Sequence, residues 1–537
     1  MREGTGRPVF SGVAIGKAYV YFPRQSELPA SCGDSEIELK NFNAARETAR
    51  EQLQALFEKT RREIGEEQAM ILDVQIMMLD DLDFVESVQE MIAGGASAAQ
   101  AAHETGDAFS AAFAAMDDEY MKARAVDVKD MARRLVDILC GGRSGFQMEE
   151  PGILIAEDLT PSETVQLPKD KILAFVTRQG SSNSHTAILA RIMNIPSLVQ
   201  AQIALSPEID GKMMIVDGFE GRYYIEPDEE TQAAMTEKRK RALEHKMALE
   251  QYRGKESVSK SGKKILLCAN IGSADDVRYA LEGDAEGVGL MRSEFLYLGR
   301  EDFPTEEELF EAYRSVVEQL KGRPLVIRTL DIGADKQCDY FGLEHEENPA
   351  LGYRGIRICL SREDIFRPQM RAIYRAAAFG PVSAMFPMII SVDEVRRIKE
   401  FCKSIREGLV AEGIPCGKVD LGIMIETPAA AVISRELAKE VAFFSVGTND
   451  LTQYTLAIDR QNAKLDAFYD PHHPAVMSLL KSIVENAHAE GIWAGICGEL
   501  GADLTLTETF LEMGFDELSV SPGRILELRK KVCESEA

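Results

Sequence analysis

The sequence predicts an α/β multidomain protein: an N-terminal α/β unit interrupted by an inserted helical bundle, then a C-terminal TIM (β/α)8 barrel. Three observations carry this expectation. The 537 residues exceed one ordinary domain. The apolar period is helical up to about residue 140 and strand-like after about residue 145. From Lys263 onward eight strand candidates alternate with eight helical patterns, the count and size of a TIM barrel. A doubly wound open sheet is the alternative on pattern alone.

Taken in order, VFSGVAIGKAYVY (residues 9–21) reads as a short Gly-punctuated strand pair. From about Ser35 to Cys140, segments such as IELKNFNAARETAREQLQALFEKTRREIGEE and DDLDFVESVQEMI repeat apolar residues at three- and four-residue steps. No Pro interrupts the stretch between Pro29 and Pro151, so residues 35–140 are expected to form a helical bundle or hairpin. The strands ILIAE, ILAFVT, SLVQA, KMMIVD and RYYIEP, with one helix starting near His185, follow. Residues 1–34 and 141–227 together then make one α/β unit. The charged segment EETQAAMTEKRKRALEHKMALEQYR has little apolar content and predicts a linker helix within residues 228–258. Residues 259–537 supply the barrel strands ILLCAN, EGVGL, PLVIRT, SAMFPMII, DLGIMI, AFFSVG, IWAGIC and ELSVS.

Composition excludes several classes. With 45% hydrophobic and 28% charged residues the chain reads as soluble and globular. No apolar run approaches the ~20 residues of a membrane span, and MREGTGRPVFSGVAIG lacks a signal-peptide layout. A cytoplasmic protein without a membrane span is expected. Nine cysteines, scattered and without a Cys-x-x-Cys, indicate neither a disulfide framework nor a zinc ribbon. A formal charge of −27 disfavours nucleic acid and favours a partner with a basic face. The stretch from Arg61 to Glu90 holds nine acidic and two basic residues, a net of −7. It suits either a solvated face or a docking surface for such a partner.

A TIM barrel places its active site at the carboxyl ends of its strands. The polar residues just after the predicted strands are Arg292, Arg328, Glu426, Asn449, Asp450 and Cys497, with Arg460 ten residues after Asp450. Two carboxylates, Glu426 and Asp450, suit a hard divalent cation that keeps waters and binds a substrate oxygen, which favours Mg²⁺. Three arginines suit a small polyanion, because guanidinium meets phosphate or carboxylate bidentately. Together they describe a site for a small phosphorylated carboxylic acid. Cys497 is either an inert buried thiol or a proton donor, for which an ordinary thiol pKa of ~8.5 is usable. His185 follows small residues and opens a helix, whose N–H groups and dipole could receive a phosphoryl group on the ring; the other reading is a structural histidine.

Long motifs in the same order decide between these readings. The sequence resembles the Enzyme I family of phosphoenolpyruvate–protein phosphotransferases, of the bacterial sugar phosphotransferase system. The motifs run nearly end to end: SGVAIGKAYV, LTPSET, SHTAILAR and IPSLV, then MDDEYMKARAVDVKDMARRL in the helical segment. The barrel adds GVGLMRSEFLY, IRTLDIGADK, NPALGYRGIRI, IETPAAA, VGTNDLTQYTLAIDR, DPHHPAV and ICGEL. The resemblance implies that residues 1–34 plus 141–227 are a phosphohistidine domain with His185 as phosphoryl acceptor and Thr164 supporting its ring. It implies that Arg292, Arg328, Asn449, Asp450 and Arg460 hold phosphoenolpyruvate, that Glu426 and Asp450 bind Mg²⁺, and that Cys497 protonates the enolate on its way to pyruvate. It also implies that segment 35–140 docks a small histidine-containing phosphocarrier protein, that His185 swings between that carrier and the barrel, and that the barrel forms a homodimer.

Two places depart from the family. Before the histidine the chain reads Gly180-Ser181-Ser182-Asn183-Ser184, without the family's second glycine, arginine and threonine. In the helical segment Val74-Gln75 stand where the family often has Ala-His. A catalytically impaired regulatory relative of the same family is therefore the alternative. The related pyruvate phosphate dikinases and phosphoenolpyruvate synthases need a nucleotide-binding domain first, and no Gly-rich nucleotide loop precedes Gly145. The nitrogen-related paralogue carries an additional N-terminal sensory domain, which is not expected here because the strand motif begins by residue 9.

Overall fold

A computed structural model describes residues 1–537 apart from 23–33, 64–65, 117–118, 142–147, 160–162, 165–166, 181–184, 194, 299, 301, 334–338 and 461. The side chains of 62–63, 66–69, 71, 119–123, 185, 188, 191–192, 463 and 466 are likewise outside the description. The chain divides into two compact units, Met1–Lys246 and Met247–Ala537.

The first unit contains an eight-stranded mixed sheet. Its strands are β1 (Arg2–Thr5), β2 (Arg7–Phe10), β3 (Val13–Val20), β4 (Gly152–Ala156), β5 (Ile172–Thr177), β6 (Ser197–Val199), β7 (Met213–Asp217) and β8 (Arg222–Ile225). They lie in the order β1-β8-β7-β3-β4-β5-β6-β2. Strand β3 pairs parallel with β4 although more than a hundred residues separate them, so the helical segment is inserted within one sheet. Both strands expected in residues 9–21 form, but not as a pair: β2 joins β6 at one edge of the sheet, while β3 lies between β7 and β4, and β1 forms the opposite edge beside β8. Its sequence REGT carries no alternating apolar pattern and is ordered by antiparallel pairing with β8.

The insert comprises α1 (Ser35–Glu63), α2 (Glu66–Leu79), α3 (Leu82–Ala93), α4 (Ala98–Ala114) and α5 (Glu119–Leu139). Phe42, Leu53, Leu72, Leu79, Phe84, Val88, Ile92 and Leu135 build its core at the spacing read from the sequence. Asp81 and Ser97 cap α3 and α4 by accepting the N–H groups of Phe84 and Gln100. Gln75 is fully buried on α2 and donates Nε2–H to Asp130 Oδ2 on α5 at 3.0 Å. The Gln75 amide thus joins two helices and satisfies a buried polar pair.

Helix α6 (His185–Met193) follows β5, and α7 (Glu229–Glu250) runs across the division between the units. No residue of α7 is buried, in keeping with its low apolar content. Its firmest tie to the first unit is Lys238, whose Nζ lies 2.6 Å from the fully buried Asp217 and 2.7 Å from Glu220.

The second unit is a closed, all-parallel barrel of β9 (Leu266–Ile271), β10 (Val288–Arg292), β11 (Leu325–Arg328), β12 (Val382–Phe386), β13 (Val419–Ile425), β14 (Phe443–Val446), β15 (Trp493–Ile496) and β16 (Glu517–Val520). All eight strand candidates are strands, and closure by β16 pairing with β9 excludes the open-sheet alternative. Leu290, Val326, Met385, Met424, Phe443 and Cys497 pack together, with Trp493 stacked on Phe443 at 4.5 Å. The barrel is a packed core whose chemistry is confined to its rim. Where one helix is expected over PAAAVISRELAKE, two short ones form, Pro428–Val432 and Ser434–Ala438, broken at Ile433. Among the described residues no helix is long and apolar enough to cross a membrane.

Candidate functional site

Strand closure gathers the ends of β10, β11, β13, β14 and β15 on one rim. Arg292 and Arg328 end adjacent strands in register, the first exposed and the second largely covered, its side chain 12% exposed. Arg328 Nη2 donates to Glu294, and Nη1 lies 3.0 Å from Asp331 Oδ2. Burial works against its charge, but Glu294, Asp331 and Glu426 outweigh that and hold the guanidinium well above its ordinary pKa. Its Nε nonetheless has no hydrogen-bond partner among the described residues.

Glu426 follows β13 and is 1% exposed. Its Oε1 accepts the N–H of Met388 at 2.6 Å. Met388 sits in the left-handed region at φ 59°, a costly conformation for a methionine that aims this N–H at the carboxylate. Burial, then Asp331 and Asp450, push the Glu426 pKa up to about 8 against the pull of Arg328 and Arg354.

Asn449 and Asp450 stand in the first turn of the helix Thr448–Leu456 after β14. Asp450 Oδ1 is 3.4 Å from Arg460 Nη2, and Oδ2 is 3.6 Å from Arg354 Nη2. Ala457 ends this helix in the left-handed conformation, and the reversed chain returns Arg460, whose N–H meets Gln453 Oε1 at 3.0 Å. Asn449 Oδ1 accepts the N–H of Glu499 at 3.2 Å.

Cys497 lies at the end of β15, 3% exposed, with Sγ 3.6 Å from the Val446 carbonyl. Burial is the largest influence on the thiol; Ser445 and Arg328 oppose it, and the pKa is pushed up to about 12. A thiol there carries its proton at neutral pH, as a donor must.

The structure therefore brings Arg328, Glu426, Asp450, Arg460, Asn449 and Cys497 to one rim, with Arg292 beside Arg328. It adds residues that strand-end reasoning missed. Arg354 forks onto Asp331 with Nη2 2.9 Å from both carboxylate oxygens, and Glu294 holds Arg328. Both lie inside long motifs of the sequence, NPALGYRGIRI and GVGLMRSEFLY. Arg354 follows no strand, and Glu294 sits two residues past the strand-end Arg292.

Two acidic residues with hard oxygen donors, one of them kept buried against its own charge repulsion, fit a divalent cation such as Mg²⁺. Among the described residues no group of three or more His, Cys, Asp and Glu side chains is arranged as a metal cage. A two-carboxylate site open to substrate oxygens needs none.

The phosphoryl-acceptor candidate is in the other unit. His185 is the first residue of α6, after Gly180 at φ 95°. Residues 181–184 and the His185 side chain lie outside the described residues. Thr164, expected to support the ring, is 4% exposed.

Comparisons with known proteins agree along the whole chain. The family description "PEP-utilising enzyme, N-terminal" matches residues 5–124, "PEP-utilising enzyme, mobile domain" matches 148–221, and "PEP-utilising enzyme, PEP-binding domain" matches 246–537. The phosphoenolpyruvate-protein phosphotransferase of Staphylococcus carnosus is 40% identical over 527 residues, covering 97% of this chain and 92% of that protein. That of Geobacillus stearothermophilus is 40% identical over 547 residues, covering 100% and 95%. A solution structure of Enzyme I is 32% identical, covering 45% of this chain and 99% of that one, with a TM-score of 0.39.

Proposed function

The chain belongs to the phosphoenolpyruvate–protein phosphotransferase family, a family of phosphoryl-transferring enzymes, and on that premise we propose the following course for the phosphoryl group. It passes from phosphoenolpyruvate at the barrel rim to a ring nitrogen of His185, and then to the histidine of a small phosphocarrier protein. This is the first step of phosphotransferase-type sugar uptake, carried out in the cytoplasm.

The observation that carries this reading is the rim itself: arginines, two acidic residues and a protonated thiol at or near the ends of neighbouring barrel strands. Arg292, Arg328 and Arg460, with Asn449, hold the phosphate and carboxylate of phosphoenolpyruvate. Glu426 and Asp450 hold Mg²⁺, which when bound neutralises charge on the substrate's oxygens. The arginines align the donor for attack by an unprotonated imidazole, and alignment with charge neutralisation is most of what phosphoryl transfer requires. Cys497 then gives its proton to the methylene carbon of the enolate, forming pyruvate.

Labour divides along the sequence in this reading. Residues 1–34 with 141–227 carry the phosphohistidine, 35–140 dock the carrier, 228–258 link, and 259–537 bind substrate and form a homodimer. The docking role is supported by exposed Met70, Met77 and Leu82 beside exposed Asp73, Asp80, Asp81 and Asp83, a surface suited to a basic, partly apolar partner.

Incubation with Mg²⁺ and phosphoenolpyruvate labelled on phosphorus tests the proposal. Acid-labile, alkali-stable label mapped to His185 and chased onto a carrier protein is expected. No label on the folded chain overturns the reading in favour of a regulatory relative disabled in the run before the histidine.

A further inference from the structure

We propose that Asn270, braced by Ser519, is a positioning residue that aims the Cys497 thiol at one face of the enolate; this rests on the reading of Cys497 as the proton donor. In the barrel order β9 is not a neighbour of β15, because β16 lies between them. Asn270, near the end of β9, nevertheless reaches past β16 and donates Nδ2–H to the carbonyl oxygen of Cys497 at 3.0 Å. The strand it crosses supplies a brace: Ser519 of β16, fully buried, lies with Oγ 2.7 Å from Asn270 Oδ1.

The direction of this relay follows from the groups involved. A backbone carbonyl can only accept, so the amide must turn its NH₂ toward Cys497 and its oxygen toward Ser519, whose hydroxyl must donate. The side-chain amide is therefore locked in one orientation, unlike one that faces groups able to play both roles.

The residue so held is fixed from other sides. The Cys497 N–H donates to Val446 O on β14 at 3.1 Å. Gly498 packs so closely on the next helix that a Cβ there would stand 2.0 Å from Thr448 Oγ1 and 2.8 Å from Thr448 N. The Glu499 N–H meets Asn449 at 3.2 Å. Asn270 is the one side chain among these anchors that grips the carbonyl of Cys497. With its N–H and its carbonyl both held, the Cys497 backbone is fixed on either side of Cα, which sets the direction in which Cβ and the thiol leave the chain.

The chemistry makes orientation measurable. As the P–O bond of phosphoenolpyruvate breaks and a P–N bond to His185 forms, the enol oxygen keeps the electron pair. The electrons of the C2–C3 double bond then take the proton from Sγ, C2–O becomes a carbonyl, and the thiolate left behind regains a proton from water. A held thiol delivers to one face of C3; an unheld one leaves the enolate to water, which adds to both.

The test uses the full chain, Mg²⁺ and phosphoenolpyruvate carrying deuterium at one C3 position, turned over in tritiated water, with the handedness of the resulting methyl group as readout. Cys497→Ala sets the reference and should give both faces. Asn270→Asp has the same shape but replaces the donor by a second acceptor, and should also give both faces. Its single-turnover uptake of labelled phosphoryl should stay within about threefold of the unmodified chain, since the arginines and acidic residues are untouched. Ser519→Ala removes one hydroxyl, leaves the amide in place, and should give a partial loss of selectivity. Loss of phosphoryl uptake together with selectivity in both variants would assign them a general structural role and overturn the proposal. Single-face addition in both, with Cys497→Ala giving both faces, would also overturn it while leaving the donor reading intact. Single-face addition by Cys497→Ala itself would overturn that reading and the proposal together.

Discussion

Burial acts on two acids inside the barrel with different consequences. At Cys497 it pushes the thiol up to about 12, well above the ordinary ~8.5, because the thiolate would lose its water while Ser445 and Arg328 offer only part in return. The unbound enzyme should then show no thiolate at this position up to about pH 10. Difference absorbance near the thiolate band, unmodified chain minus Cys497→Ser, is expected to stay flat over that range; a rise centred near ~8.5 would contradict it. Glu517 is the second case. It is 4% exposed, accepts from the Cys268 thiol at 3.4 Å, and leaves Oε1 without a partner among the described residues. Burial raises its pKa to about 7 from an ordinary 4.5. A carboxyl whose pKa is raised on folding supports the fold fully below its unfolded pKa, and that support is lost as pH climbs to the folded value. Glu517→Gln should therefore gain stability relative to the unmodified chain between about pH 4.5 and pH 7, on the order of 3 kcal/mol, and hold a constant difference above. Calorimetry of the barrel transition across that window measures it, and a pH-independent difference would refute it. Neither environment was legible from the sequence: Cys497 could be placed at a strand end, but its neighbours come from β14 and β9. Arg354 was hidden for the same reason, since only closure of the barrel sets it over Asp331.

At the level of elements, the turn after β15 shows how the strand ends are tied together. Gly498 stands between Cys497 and the helix bearing Asn449 and Asp450, and that helix leaves no room for a methyl group. Gly498→Ala must push one of the two away, so either the Cys497 thiol or the Asn449 and Asp450 side chains are displaced by a few tenths of an ångström or more. Misplacement on that scale is expected to lower kcat at least ~10-fold. The melting transition should fall by only about 1–3 kcal/mol, as for a tight substitution that a loop can relieve. Steady-state pyruvate formation compared with thermal unfolding separates the two effects, and unchanged kcat would show that the turn is not coupled to the site. The eight barrel strands were readable because each is a short apolar run bounded by turn residues. The edge strand β1 was not, because REGT owes its conformation to β8. Nor was the break at Ile433, because the pattern of PAAAVISRELAKE is compatible with one helix, whereas Ile433 leaves the helical conformation between Pro428–Val432 and Ser434–Ala438.

For the molecule as a whole, the formal charge of −27 is the property most easily read from the sequence, and it bears on association more than on fold. The run from Arg61 to Glu90 carries −7 of it. The sequence could not say whether those carboxylates face solvent; helices α2 and α3 turn Asp73, Asp83, Glu86 and Glu90 outward beside exposed Met77 and Leu82, while Asp80 is engaged by Arg46 and Arg50. If this face meets the carrier, exposed charges should set the encounter rate and the apolar side chains the residence time. At 0.1 M ionic strength screening acts over about 10 Å, so the encounter term should fall steeply as salt is raised. The expected outcome is that kcat/KM for the carrier decreases with ionic strength, while uptake of labelled phosphoryl in the carrier's absence changes little. Asp73→Asn and Glu86→Gln, singly, should each lower kcat/KM at low salt by roughly two- to fivefold and flatten its salt dependence, with carrier-free labelling unchanged. Equal salt dependence with and without the carrier would locate the electrostatics at the substrate site instead. The acidic face of α2 and α3 would then be a solvated surface, and the docking role of the helical insert would have to rest on its apolar residues alone.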